Sequence, residues 1–173
     1  EHEMNQVVVL LLALMLASCT HVRSSQGVSL NAEGTWLVLP LVNRTGTPQA
    51  GLRAAAIVES VLYRQGVTAV ENYPETGNDG LLFEASSSAN REKMDRWVQS
   101  QSAQYVVSGV VHEWRYKTGV DGEPAVGVML EIRELPSGKI VYSGTGARAG
   151  WARTSLSQTG QKVIDKLLAP VIR

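Results

Sequence analysis

The chain has 173 residues, of which 44% are hydrophobic and 18% charged, with 16 basic and 16 acidic side chains. This length suits one domain with a buried core and is short for two domains. The balanced charge argues against a strongly basic nucleic-acid surface, so we expect no nucleic-acid partner.

An apolar run near the N-terminus leads to the only cysteine of the chain. Residues 7–16 are apolar, and the run continues into Leu16-Ala17-Ser18-Cys19. A short apolar segment followed by small residues is typical of a secretory signal peptide, whereas a spanning helix needs about 20 apolar residues. Residues 16–19 resemble the bacterial lipobox, which implies cleavage before Cys19 and acylation of its thiol. The alternative is a buried thiol in an apolar helix.

The residues around Cys19 predict the organisation of the rest of the chain. Residues 1–18 are interpreted as a lipoprotein signal peptide, 19–34 as a lipidated flexible tether rich in Ser, Gly and Asn, and 35–173 as an α/β periplasmic domain. Thr20 follows the cysteine where the inner-membrane retention signal has Asp. We therefore expect anchoring through Cys19 at the periplasmic face of the outer membrane.

Strands and helices alternate in the first part of the predicted domain. Residues 35–41 predict a buried strand. Apolar residues then recur at helical spacing over 54–62, and Gly66 suits the left-handed position that ends a helix. A second strand is predicted over 67–70. A strand, a helix and a strand in this order predict parallel pairing.

The second part of the domain adds a helix, three strands and a final helix. A helix is predicted over 88–100, strands over 104–116, 125–135 and 140–146, and a last helix from near Thr154. Short turns between the three strands indicate an antiparallel meander. The order β-α-β-α-β-β-β-α predicts an α/β fold, with a single mixed sheet of about five strands and helices on its faces.

No residue pattern in the sequence favours catalysis. His21 and His112 do not have metal-ligand spacing, and no nucleophile elbow occurs. Glu113 and Glu131 could pair as general acid and base, but their spacing does not favour this over surface carboxylates. We therefore predict a protein that is not an enzyme and that has no catalytic residues, no metal and no cofactor.

Trp151 lies between the last predicted strand and the last helix, where no periodicity explains a large aromatic residue. Tryptophan suits the membrane–water interface, because its body is apolar and its N–H is polar. Arg148 and Arg153 flank it and could meet lipid phosphates. The alternative is an indole folded back over the core. The other tryptophans, Trp36, Trp97 and Trp114, lie within regular elements and are predicted to be core or subunit-contact residues.

Four stretches of the chain carry a resemblance to a known family: Asn43-Arg44-Thr45-Gly46-Thr47-Pro48-Gln49-Ala50-Gly51, His112-Glu113-Trp114-Arg115-Tyr116-Lys117-Thr118-Gly119, Asp121-Gly122-Glu123-Pro124-Ala125-Val126-Gly127 and Gly150-Trp151. They resemble the PelC family, the outer-membrane lipoproteins of Pel exopolysaccharide export. The similarity runs from the lipobox to the last helix. The element order also resembles the TolB N-terminal domain and the synthase activator LpoB, in architecture only.

This resemblance implies a function that composition and spacing do not. Proteins of the PelC family form a dodecameric ring beneath the outer membrane, with the porin-like PelB as partner. A negative funnel in the ring is thought to guide a cationic, partly deacetylated exopolysaccharide to the exit. Trp151 matches the aromatic residue that contacts outer-membrane lipid. Asp121 is the best match for an acidic residue facing the polymer, followed by Glu123.

The acidic residues are grouped along the chain. Residues 71–84 contain four acids and no base, and residues 121–131 contain three acids and no base. The funnel requires both groups on the lumen side of a ring, whereas the alternative is a solubilising surface.

Other functions remain open at the level of sequence. A lipoprotein regulator that docks on a periplasmic synthase as a monomer is the main alternative to an export component. A pore-forming lipoprotein would need long amphipathic strands that the sequence does not provide, and a hydrolase is the least favoured.

Overall fold

The structure, a computed structural model, describes residues 20–74, 85, 87–119, 122–151 and 153–173. These residues form one mixed seven-stranded sheet and three α-helices. The predicted α/β class with a single mixed sheet is confirmed, with seven strands rather than about five. The elements are β1 (His21–Ser24), β2 (Thr35–Val38), β3 (Val42–Asn43), α1 (Ala50–Arg64), β4 (Ala69–Asn72), α2 (Ser88–Ser100), β5 (Tyr105–Tyr116), β6 (Pro124–Glu134), β7 (Ile140–Ala149) and α3 (Leu156–Leu168).

The sheet combines a parallel half and an antiparallel half. Its strand order is β1-β7-β6-β5-β2-β4, and β3 pairs with β5 beyond the end of β2. Strand β2 is parallel to β4 and β5, as the strand–helix–strand unit predicts. Strands β5, β6 and β7 form the predicted antiparallel meander, and β1 is antiparallel to β7. Gly66, with φ of 91°, follows α1 in the expected left-handed conformation.

The main core lies between the sheet and the helices α1 and α3. The predicted inner face of β6 is fully inaccessible to solvent; its residues are Val126, Val128, Leu130 and Ile132. Helix α3 adds Val163, Ile164 and Leu167 to the same cluster. Trp36 and Trp114 are buried there, as predicted for core residues. Each aliphatic side chain that becomes fully buried contributes roughly 1.5–3 kcal/mol, so this face holds most of the stabilising apolar burial.

A smaller core lies on the opposite face of the sheet, beneath α2. Met94 and Val98 of this helix pack with Leu37, Leu39 and Val106. Trp97 is partly buried against the same cluster, and its ring meets Tyr73 edge-on with centroids 5.5 Å apart. Ser87 is the N-cap of helix α2, and its hydroxyl accepts a hydrogen bond from the Asn90 amide.

The segment predicted as a flexible tether is instead built into the domain. Residues 21–24 form β1 and pair with β7, and Val22 packs against the main core. Further along, Leu30 exchanges backbone hydrogen bonds with Val171 and Arg173 at 2.7 and 2.9 Å. The free coil expected over 19–34 is therefore wrong for its described part. The open edge of β7 offers backbone hydrogen bonds that even a short polar segment can use.

Candidate functional site at one end of the sheet

Four strand ends meet at one end of the sheet. Tyr116, the last residue of β5, pairs with Pro124, the first residue of β6. On the next strand, Ala149 at the end of β7 faces Ala125, and His21 at the start of β1 faces Ala147. Thr20, the β5–β6 turn and Trp151 therefore all lie just beyond this end, which we call the Trp151 end.

Trp151 extends into solvent from a tightly held backbone. Its side chain is 55% exposed, so the alternative of an indole folded over the core is wrong. The preceding residue, Gly150, donates a hydrogen bond from its amide to the Pro124 carbonyl at 2.7 Å. A Cβ at Gly150 would lie 2.8 Å from both Pro124 and Thr159, so only glycine fits there. The Trp151 carbonyl accepts a hydrogen bond from the Thr154 amide at 2.8 Å.

Thr20, the first described residue, lies at the same end of the sheet as Trp151. The Arg148 guanidinium donates a hydrogen bond to the Thr20 hydroxyl at 2.5 Å. Thr20 directly follows Cys19, which lies outside the described residues. Since Arg148 is three positions before Trp151, the point of chain entry and the exposed indole share one end of the sheet. Thr20 and Trp151 are 131 positions apart in the sequence, and only the resemblance to the PelC family implied that both lie near one membrane.

A second exposed aromatic residue, Tyr116, was missed by the sequence analysis. Its side chain is 51% exposed. Tyr116 is in phase with the buried Trp114 along β5, so strand alternation alone predicts that it is buried. It is exposed because β5 and β6 both end at this position. Its position at the end of a strand, directly before Lys117-Thr118-Gly119, could have suggested the exposure.

The acidic residues expected to face a polymer belong to the β5–β6 turn. Glu123 is partly exposed, and its carboxylate lies 3.8 Å from the Lys117 ammonium. The Lys117 amide also donates a hydrogen bond to the Glu123 carbonyl at 2.7 Å, which closes the turn. Gly122 adopts a φ of 52° there. Asp121 lies outside the described residues.

The remaining acidic candidates that the structure describes lie apart on the sheet. Glu71 lies on β4 and Glu131 on β6, which are separated by β2 and β5. Glu75, Asp79 and Glu84 lie outside the described residues. The other acidic residue considered for catalysis, Glu113, forms an ion pair with Arg115 at 3.0 Å.

A carboxylate pair for general acid–base catalysis is not formed. Glu113 faces Gly127, four positions along β6 from Glu131, which is roughly 13 Å along a strand. Paired glycosidase carboxylates are about 5–9.5 Å apart. His112 is an exposed strand residue. Within the described ranges, no group of three or more His, Cys, Asp or Glu side chains could hold a metal ion.

The fold defines a class of small α/β domains. It is shared with the lipoprotein GNA1162 from Neisseria meningitidis, at a TM-score of 0.53 and 14% identity over 76% of this chain and 96% of that chain. A hypothetical protein from Chlamydia trachomatis is also similar, with a TM-score of 0.53 and 10% identity over 80% of this chain and 95% of that one. At such identities the likeness concerns the fold alone.

A much nearer likeness shows the family. The PelC dodecamer from Paraburkholderia phytofirmans is 38% identical over 88% of this chain and 98% of that chain, with a TM-score of 0.73. The chain belongs to the PelC family. No protein-family model matches the sequence, and neither does any curated protein. Among the described residues, no helix has the length and apolar character needed to cross a membrane.

Proposed function

We propose that this chain is a non-enzymatic lipoprotein of Pel exopolysaccharide export, anchored through Cys19 at the periplasmic face of the outer membrane. The observation that carries this proposal is the position of Thr20 beside Arg148, at the same end of the sheet as Trp151. An acyl chain on Cys19 leaves the domain at this end. The lipid and the exposed indole then meet one membrane surface.

The chemistry of the Trp151 end supports a lipid contact. Tryptophan and tyrosine are the residues that favour the membrane–water interface, and Trp151 and Tyr116 are both about half exposed there. Arg153, two residues after Trp151, supplies a cation for lipid phosphates. Acyl chains provide the durable attachment, and the aromatic residues set the orientation of the domain.

We further propose that the chain assembles as a homo-oligomeric ring, because the two similar PelC structures from Paraburkholderia phytofirmans are dodecamers. In a ring of twelve copies, each acidic turn recurs twelve times around the lumen. Asp121 and Glu123 then form a negative belt that attracts a cationic polysaccharide. The ring delivers the polymer to the outer-membrane porin PelB.

The native mass of the full lipidated protein tests this proposal. The protein is extracted in mild detergent and compared with Cys19→Ala, which lacks the acylated thiol. We expect a closed oligomer for the wild type, and we expect Cys19→Ala to leave the membrane fraction. A wild-type protein that stays monomeric, even with PelB present, would instead favour the regulator of a periplasmic synthase.

A further inference from the structure

One part of the sheet is covered by no element of the described chain. Helix α2 packs on β2 and on the first part of β5. Next to it, on the same face, β6 and β7 present side chains that are partly or fully exposed. These are Met129, Glu131 and Arg133 on β6, and Ser143, Thr145 and Ala147 on β7. The opposite face of the same strands is fully packed by the main core.

A groove of about 250 Å³ runs between α2 and this open face. Val110 and Met129, which are paired in the sheet, form its floor. Met94 of α2 lines one wall. Both methionines can adjust to a partner's shape, because their side chains are unbranched and polarisable.

Charged side chains of both signs surround this apolar floor. Arg91 and Asp95 belong to α2, and Glu131 and Arg133 belong to β6. None of the four forms an ion pair with another described residue. An apolar centre with a charged rim is the usual anatomy of a protein–protein interface. Because no described residue pairs with them, these four charges suit a partner that carries charges of both signs.

We propose that this groove, together with the adjoining open face of β6 and β7, is a contact surface for a second copy of this chain. The occupant is a second copy because the PelC structures are dodecamers, and the inference therefore rests on the ring assembly proposed above. A ring closes through head-to-tail contacts, so the neighbouring copy presents a different surface to the groove. A standard interface covers about 800 Å² per partner, which requires the open strand face as well as the groove.

Two substitutions at the groove test the contact by native mass. Met129→Arg places a charge on the apolar floor. Asp95→Arg reverses a rim charge at an exposed position of α2, outside the core. We expect each variant to raise the concentration at which the oligomer dissociates at least tenfold. Circular dichroism and the melting temperature report whether the fold is intact. An oligomer of wild-type mass in both folded variants would overturn the proposal.

Cross-linking locates the contact directly. Ser108 lines the groove, and Cys19 is the only natural cysteine, so Ser108→Cys carries the only free thiol once Cys19 is acylated. A photo-reactive cross-linker on this thiol is expected to join neighbouring copies. The same label on the Ser108→Cys, Met129→Arg double variant is the control and should give only background.

The outcomes separate this inference from the proposed function. If the wild type is an oligomer but Ser108→Cys gives no cross-links, the groove contact alone is refuted. The same holds if Met129→Arg and Asp95→Arg both keep the wild-type oligomer. A wild-type monomer refutes the ring and the groove contact together. An oligomer that cross-links through residue 108 and dissociates in the groove variants supports both.

Discussion

Arg148, near the end of β7, donates a hydrogen bond to the hydroxyl of Thr20, the residue directly before β1, at 2.5 Å. The two residues are 128 positions apart in the sequence. This contact holds the chain against the sheet at the residue directly after the proposed lipid attachment. A free coil of 15 residues would let the domain move on the order of 20 Å from the membrane. With β1 paired, the proposed lipid attachment lies next to one defined end of the domain.

The first prediction concerns the contact of Trp151 with the membrane. In a Cys19→Ala background, we expect Trp151→Ala to weaken binding to phospholipid vesicles at least about tenfold, because burying an aromatic side chain contributes roughly 1.5–3 kcal/mol and about 1.4 kcal/mol is a factor of ten. Vesicle flotation measures the binding. The stability of the fold should change by less than about 0.5 kcal/mol, as expected for an exposed side chain.

Ile140→Ala is the matched control for this experiment. Ile140 is 52% exposed, close to the value for Trp151, and begins β7 at the opposite end of the strand. Its removal should leave vesicle binding unchanged. Equal losses in the two variants would show that general apolar exposure, and not the Trp151 end, drives the binding.

A second prediction concerns the attachment of β1. Thr20→Val removes the hydroxyl that accepts the Arg148 hydrogen bond and keeps the shape of the side chain. We expect faster amide hydrogen exchange in residues 21–24, corresponding to roughly 0.5–1.5 kcal/mol of lost local stability. Thr145→Val, an exposed substitution on β7, is the control. Unchanged protection of β1 in Thr20→Val would mean that this hydrogen bond does not hold the strand.

The third prediction concerns the acidic turn. Asp121→Asn and Glu123→Gln each remove one negative charge per subunit without a large change in shape. We expect both to lower the amount of secreted polysaccharide, with the larger loss for Asp121→Asn. The reason is that the Glu123 carboxylate already lies 3.8 Å from the Lys117 ammonium, which offsets part of its charge.

Glu33→Gln is the control for the acidic turn. Glu33 precedes β2, whose start pairs with the start of β5 and is therefore at the opposite end of the sheet. Secretion by this variant should equal that of the wild type. Normal secretion by Asp121→Asn, with a normal amount of folded protein, would remove Asp121 from the mechanism.

The fourth prediction tests the close packing of α3 on the sheet. A Cβ at Gly160 would lie 2.6 Å from the buried Trp114 ring. Gly160→Ala should therefore destabilise the fold by about 1–3 kcal/mol, although alanine normally favours a helix. Urea unfolding measures the change. Gly46→Ala has no neighbour within 4 Å and should leave stability nearly unchanged.

The fifth prediction concerns stability at alkaline pH. Burial raises the pKa of Tyr142 above 10.0, although a hydrogen bond with Ser24 partly lowers it. A raised pKa means that the neutral phenol is favoured in the folded state. Its contribution is complete below the unfolded pKa, near 10, and is lost as the pH rises through the folded pKa. We therefore expect the free energy of unfolding to fall at pH values above about 10.

Tyr142→Phe should remove this part of the pH dependence. The variant also loses the hydrogen bond that the Tyr142 hydroxyl donates to the Leu167 carbonyl at 2.7 Å, so we expect it to be less stable at pH 7 by about 1 kcal/mol. The exposed Tyr116→Phe is the matched control. If wild type and Tyr142→Phe lose stability equally between pH 9 and 11, then Tyr142 is not the group responsible.

The sequence by itself determined the identity of most elements and their buried faces. Alternation along 126–132 predicted the inner face of β6, and helical spacing over 54–62 predicted α1. Gly66 marked the end of that helix. These features are local, because buried positions recur along a strand or helix with the period of that element. The resemblance to the PelC family also came from short stretches of residues read in order.

The tertiary structure alone decided which of these parts lie together. The sequence of β1 is short and polar, so only the open edge of β7 makes it a strand. Tyr116 is exposed because its neighbouring strand begins where β5 ends. The groove beside α2 exists because this helix covers one half of its sheet face. Strand register and helix placement bring together residues that are far apart in the chain. Such contacts cannot be inferred from the periodicity of a single element.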